Sequence, residues 1–345
     1  MKENILRSPN KLDFNDLLIK PKTLTSIKSR SEINIDDDND MLPLFTAPMD
    51  TVVSSDNEGL FYFNGLNVCL PRGEKSDLGG FTSYSLSDFK DKFCNNKFMV
   101  DNQTANLNIL IDIANGHISD LVDTVKYVKS KYEDLTLMVG NIANPKTYVK
   151  LSEAGADLIR VGIGNGGGCL TTQQTGVGYP MASLIAECYS ESSKLDKPAK
   201  IVADGGMQTY SDIIKAIALG ADYVMLGSIL NKCLESCGQN YILKKIKITQ
   251  NGANKYYELG GNVYKKFRGM STKEVQKKWG SKILKTSEGV VRFRKVEYTI
   301  DGWVNNFEHY LRSAMSYAGA LTLDEFRNNT ELVIISGNSY KRFNK

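Results

Sequence analysis

The chain has 345 residues, enough to bury a large core as one big domain or two ordinary ones. Hydrophobic residues make up 41% and charged residues 24%, a soluble globular balance, and 43 basic against 39 acidic residues leave a net charge of only +4. Such a charge suits a small anionic ligand and argues against nucleic acid as a partner, while the lack of an apolar run of about 18 residues and of a signal-peptide core predicts a cytoplasmic protein with no membrane attachment.

Eight short apolar runs read as strands. In chain order they are Leu42–Ala47, Leu66–Leu70, Phe81–Leu86, Leu107–Ala114, Leu135–Asn141, Asp157–Gly164, Lys200–Gly206 and Asp222–Ile229. Helix-like segments lie between most of them. The segment from Ser119 to Tyr132 puts Leu121, Val122, Val125 and Val128 on one face, and two later segments end on the capping glycines Gly155 and Gly220. This alternation predicts an α/β protein, a (β/α)8 TIM barrel over residues 42–231, with a doubly wound sheet as the alternative. Residues 232–300 are polar and rich in Lys and Tyr, too long for a plain connection; they are expected to form a flap with a small β element. An amphipathic helix over 304–326 is expected to close the barrel. The reading is a single domain with a long flap after the eighth strand and no inserted regulatory domain.

The unusual residues cluster where a barrel keeps its chemistry, at the C-terminal ends of the strands. They are Asp50, Asp112, Asn115, Asn141, Cys169, the run Asp204-Gly205-Gly206, and Gly227-Ser228. Any one of them alone reads as a turn or cap residue; several in one topological place predict a shared mouth. The most informative stretch is Gly162–Pro180, GIGNGGGCLTTQQTGVGYP, where glycines lead off an apolar strand into Cys169. Glycines let the backbone approach a ligand closely, and a cysteine on such a loop is a candidate nucleophile. The six cysteines are scattered and expected to be reduced. Cys233 and Cys237 lie far in sequence from the two histidines, His117 and His309, so a zinc site is not expected.

LDFNDLLIKPK, APMDTV, DIANG, GNI, GIGNGGGC, TGVGYP, ADGG, GADYVMLGS, RGMS, SEG and LRSAMSYAGA follow one another from Lys11 to Phe326. In this order they resemble the IMP dehydrogenase and GMP reductase family. That resemblance implies a TIM barrel, usually a homotetramer, acting at C2 of a purine nucleotide through a covalent cysteine adduct. It is closest to the reductase branch: only residues 71–80 separate the second and third strand candidates, where dehydrogenases insert a regulatory domain, and the segment Met270–Glu288 lacks the dehydrogenase Arg-Tyr pair. The opening LDFNDLLIKPKTLTSIKSRSEI points the same way.

The roles below are what the resemblance implies. Cys169 is the nucleophile, and Thr171 with Glu288 relays a proton to the departing amine. Asp204, beside Gly205, holds the ribose hydroxyls, and Gly206, Gly227 and Ser228 hold the phosphate. Gly269, Met270 and Ser271, with Lys285, Thr286, Ser287 and Gly289, cover the base. NADPH meets Arg72, Asp112, Ile113, Ala114, Ile163 and Gly164, and from a neighbouring subunit Ser29 and Arg30 or Ser313, Ala314, Met315 and Ser316. The carbonyls of Gly164, Gly166 and Cys169 match a potassium loop.

The chain departs from the family pattern near the phosphate, cation and cofactor places. The loop serine is Gly167, followed by Gly168; the His-Lys pair after the second strand is Pro71-Arg72; the arginine before SEG is Lys285; the arginine three residues after the cysteine is Thr172. Deoxy or modified guanine nucleotides therefore stand beside GMP as substrates. IMP dehydrogenase activity, a nucleotide-binding regulatory protein without turnover, and a flavin-dependent barrel oxidoreductase are the alternatives.

Overall fold

The computed structural model describes residues 2–95, 107–132, 134–270, 272–273, 275 and 289–343. The chain enters on β1 (Leu17–Lys20) and then lays down eight parallel strands. These are β2 (Leu44–Thr46), β3 (Cys69–Leu70), β4 (Phe81–Tyr84), β5 (Asn108–Asp112), β6 (Thr136–Ile142), β7 (Leu158–Val161), β8 (Lys200–Asp204) and β9 (Tyr223–Leu226). Neighbours in sequence are neighbours in space, β9 returns to pair with β2, and a parallel bridge from Phe45 to Asn67 joins the β2 and β3 ends. The eight predicted strands are all present, and the sheet is a (β/α)8 barrel rather than a doubly wound sheet.

Period-two alternation divides each strand between two cores. Phe45, Cys69, Phe81, Leu110, Met138, Leu158, Val202, Tyr223 and Met225 fill the barrel interior. The opposite faces, such as Ile109, Ile111, Val139, Ile159, Ile201 and Val224, pack against the surrounding helices. Helix Ser119–Lys131 buries Leu121, Val125 and Val128 as its spacing predicts, with Val122 only partly covered. Helix Tyr210–Leu219 starts on a Thr209/Asp212 capping box and stops at Gly220, which takes φ +116° and has Tyr189 packed where a Cβ would stand.

After β9 the chain forms an antiparallel four-stranded sheet of β10 (Asn240–Ile242), β11 (Ile246–Ile248), β12 (Val263–Arg268) and β13 (Val291–Lys295). The C-terminal helical segment is two helices and not one. Ile300–Ala318 ends at Gly319, where φ is +67°, and Leu323–Asn329 follows with Thr322 as its cap. A left-handed glycine stops the first helix, so the amphipathic pattern resumes on a new axis. Both helices pack against Tyr210–Leu219. β14 (Glu331–Ile334) then pairs antiparallel with β1, a two-stranded sheet that the sequence reading leaves out.

Candidate active site

The alternation that fills the barrel also builds the floor of the site. One step beyond Leu110, Leu158 and Val202, on the same inner faces, stand Asp112, Arg160 and Asp204. Gly140 on β6 lies in register between Asp112 and Arg160. A Cβ there would meet Arg160 atoms at 2.6–3.1 Å, so this position admits no side chain. Across that gap Arg160 Nη1 reaches Asp112 Oδ1 at 2.8 Å, while Nη2 meets Asp204 Oδ2 at 2.8 Å. Burial opposes the charge of Arg160, but Asp204 and Asp112 outweigh it and raise its pKa. Arg72 Nε approaches the other oxygen of Asp112 at 3.1 Å, and Arg72 also donates to the Asp112 carbonyl.

The register slips between Gly140 and Ile142, and Asn141, carried on that irregularity, donates to Asp204 Oδ2 and to the Gly162 carbonyl, both at 2.8 Å. Asp204 is thus held by Arg160 and Asn141 through one oxygen.

Above this floor runs the glycine loop. Gly162 and Gly164 take φ of +135° and +83°; a Cβ on the first would overlap the Asp204 carbonyl, and on the second the Thr172 hydroxyl. Thr172 Oγ1 donates to the Val177 carbonyl at 2.7 Å, which ties the loop to the turn after it. Cys169 Sγ lies 3.2 Å from Thr171 Oγ1, at the start of the short helix Thr171–Thr175. The β12–β13 sheet docks directly on this loop: Cys169 bridges to Gly289, Val290 N–H donates to the Gly168 carbonyl at 3.1 Å, and Gly269 N–H donates to the Val290 carbonyl at 3.0 Å.

These elements enclose a cavity of about 320 Å³. Its wall includes Arg72, Asp112, Ile113, Ala114, Asn141, Ile163, Gly164, Gly166, Cys169 and Thr171. Asp204, Gly205, Gly206, Gly227, Ser228, Gly269 and Met270 complete the set of predicted residues in it. Ser271, Lys285, Thr286, Ser287 and Glu288 lie outside the described residues.

Other predicted positions stand elsewhere in the fold. Ser29 caps the 3-10 turn Arg30–Glu32 and does not line the cavity. Ser313, Ala314 and Ser316 are half-buried on helix Ile300–Ala318, and the Met315 side chain is in the core, so it presents no surface to a cofactor. Asp50 is turned to an ion pair with Arg268 at 2.6 Å, and Asn115 accepts from the His117 N–H as a turn residue.

Sequence reasoning missed Arg160, Met49, Met207 and Phe267, all of which line the cavity. The available signal for Arg160 was a lone charge within an otherwise apolar strand, since arginine is almost never buried without a partner. All six cysteines are free. Burial pushes the Cys69 and Cys237 thiols up to about 12 and raises those of Cys188 and Cys233 as well, which leaves them unreactive. Among the described residues no three His, Cys, Asp or Glu side chains gather as a metal site.

A family model described as "IMP dehydrogenase / GMP reductase domain" matches residues 89–343. The chain is 30% identical over 362 residues to GMP reductase 2 of Bos taurus, with 94% of each chain covered. It is also 30% identical over 353 residues to the GMP reductase of Vibrio vulnificus (strain YJ016), and 30% identical over 356 residues to GMP reductase 2 of Homo sapiens, with 94% of each chain covered in both cases. A barrel with a cysteine loop over its C-terminal mouth, matched along nearly its whole length, identifies the chain as a member of the IMP dehydrogenase / GMP reductase family.

Proposed function

We propose that this protein reductively deaminates GMP, or a closely related guanine nucleotide, to IMP and ammonia with NADPH as reductant. The observation that carries the reading is the Cys169–Thr171 pair, sulfur and hydroxyl 3.2 Å apart on a glycine loop over the cavity that also holds Asp204. The naming of the relatives as GMP reductases supports the reductase over the dehydrogenase.

In this reading Asp204, its carboxylate fixed by Arg160 and Asn141, accepts hydrogen bonds from the ribose hydroxyls and sets the nucleotide's depth. The Cys169 thiolate adds to C2 of the base and a C–S bond forms. Thr171, with Glu288 as its partner, passes a proton to the exocyclic amine, the C2–N bond breaks, and ammonia leaves. The resulting thioimidate at C2 is reduced, the C–S bond breaks, and Cys169 is regenerated as IMP departs. NADPH, when bound, supplies the hydride. The residues fit such a cofactor: Ile113, Ala114 and Ile163 form an apolar wall in the same cavity as Cys169, next to the cationic Arg72. A potassium ion would take the Gly164, Gly166 and Cys169 carbonyls; the Gly166 carbonyl already accepts from the Cys169 N–H at 2.9 Å and keeps one lone pair, and no step depends on the ion.

The β10–β13 sheet and the chain that follows β12 are assigned as the flap, docked through Gly289 and Val290 on the cysteine loop. The assembly is taken to be a homotetramer whose neighbouring subunit brings Ser29 and Arg30, or Ser313, Ala314 and Ser316, to the cofactor; exposed Tyr310 and Tyr317 on that helix support an interface there. A cytoplasmic location is proposed from the composition and the free thiols. No helix among the described residues is long and apolar enough to cross a membrane. The test is NADPH oxidation with a panel of guanine ribo- and deoxyribonucleotides. Ammonia and IMP in step with NADPH loss support the reading, whereas NADH formation from IMP and NAD+, with no reaction of GMP, overturns it in favour of the dehydrogenase.

A further inference from the structure

The cavity wall at Gly167 and Ser228 adjoins a cation that the chemistry above does not use. Strand register puts it there. Arg294 on β13 pairs with Lys265, and Arg292 pairs with Phe267, so Arg294 and Phe267 are diagonal neighbours on one face of the sheet. The Arg294 guanidinium lies over the Phe267 ring, 4.7 Å from its centroid, and Phe267 is itself part of the cavity wall. Its Nη2 stands 3.1 Å from where a Cβ on Gly167 would be, and the Ser228 side chain lies 3.5 Å from the same point. Gly167 and Ser228 both line the cavity.

Two other cations of these strands are committed elsewhere. Arg268 pairs with Asp50 at 2.6 Å, and Lys265 donates to the Ser236 carbonyl and to Gln250 Oε1. Arg294, like Arg268, has a buried Nε with no hydrogen-bond partner, but no carboxylate pairs with it among the described residues. Burial, then the nearby charge of Arg292, lowers its pKa, though an arginine so placed stays protonated at neutral pH. A guanidinium held over a ring beside a glycine loop presents a donor fork that suits the oxygens of a phosphomonoester. Gly167 contributes no side chain that would occupy this space.

We propose that Arg294 binds the 5′-phosphate of the nucleotide substrate at the Gly167–Ser228 edge of the cavity and sets the preference for nucleotide over nucleoside. The proposal rests on reading the cavity as a guanine-nucleotide site. Binding of GMP and of guanosine is measured by titration calorimetry on the wild-type protein, Arg294→Gln and Arg294→Lys. The expected result is that Arg294→Gln weakens GMP binding roughly 10- to 100-fold and leaves guanosine within about threefold, so the preference collapses. Arg294→Lys recovers part of it through charge without the fork. The GMP-to-guanosine ratio is insensitive to the fraction of folded protein, so a loss of stability does not imitate the effect. A wild-type ratio retained in Arg294→Gln overturns the role of Arg294 and leaves the nucleotide site standing. A wild-type protein that binds guanosine as tightly as GMP overturns the phosphate subsite itself. Wild-type protein that binds neither overturns the reading on which the proposal rests.

Discussion

Arg160 and Asp204 meet at 2.8 Å although they lie on separate barrel strands, the first buried on β7 and the second at the end of β8. The same guanidinium holds Asp112 on β5. One cation therefore fixes the carboxylate assigned to the ribose and one beside the cofactor wall. Replacing Arg160 by Leu leaves both carboxylates without it in a closed space. The expected cost is about 3–5 kcal/mol in urea unfolding, with a smaller loss for Arg160→Lys, which retains the charge but not the fork. A change below about 1 kcal/mol for the Leu variant would show that water replaces the guanidinium without penalty.

Cys169→Ala is expected to reduce NADPH oxidation below about 1% of wild type while nucleotide binding stays nearly unchanged, since losing a nucleophile ordinarily costs far more than a hundredfold. Turnover above that level would exclude a covalent role for the thiol. None of the other five cysteines lines the cavity, and burial raises the pKa of each.

Glu288→Gln separates the two halves of the proposed reaction. Deamination of GMP should stop, because Thr171 loses its proton partner. Hydride transfer in reverse, from IMP to NADP+, forms the thioimidate without a leaving-group acid, so a burst of NADPH comparable with wild type is expected. Loss of that burst with binding intact would mean that Glu288 helps activate Cys169 or position the base.

Lys265 predicts a pH dependence of stability. It stands on β12 with its side chain fully buried, and burial lowers its pKa from 10.5 to about 8. Between those values the unfolded chain keeps the proton and the folded chain releases it, so stability contributed by this group rises with pH from about 8 to 10.5. The slope for one group is at most about 1.4 kcal/mol per pH unit. Lys265→Met removes the titrating group, and the difference between wild-type and variant unfolding free energies should narrow or reverse in favour of wild type across that window. A difference that stays level with pH would show that Lys265 is not held in this state.

The order of apolar runs in the chain was enough to predict the barrel, because alternation of strand and helix admits few topologies and each strand is buried on both faces. Cys169, Thr171, Asp204 and the glycines at 227 and 205–206 were legible for a related reason: the barrel places every strand end at one mouth, so residues far apart in sequence share a site once the strands are counted. Arg160 was not legible as a site residue. Its meaning depends on Gly140 leaving a gap on the strand between it and Asp112, a relation of register and not of spacing. The halves of the C-terminal helical segment were read as one because Gly319 sits inside an amphipathic pattern that continues past it, and only its left-handed backbone separates them. Arg294 is the clearest case of what tertiary structure alone decides. In the chain it is one of several cations in a polar segment; cross-strand pairing with β12 lays it on Phe267 and brings it to Gly167, 127 residues earlier, because sheet pairing acts through space and leaves no period in the sequence to announce it.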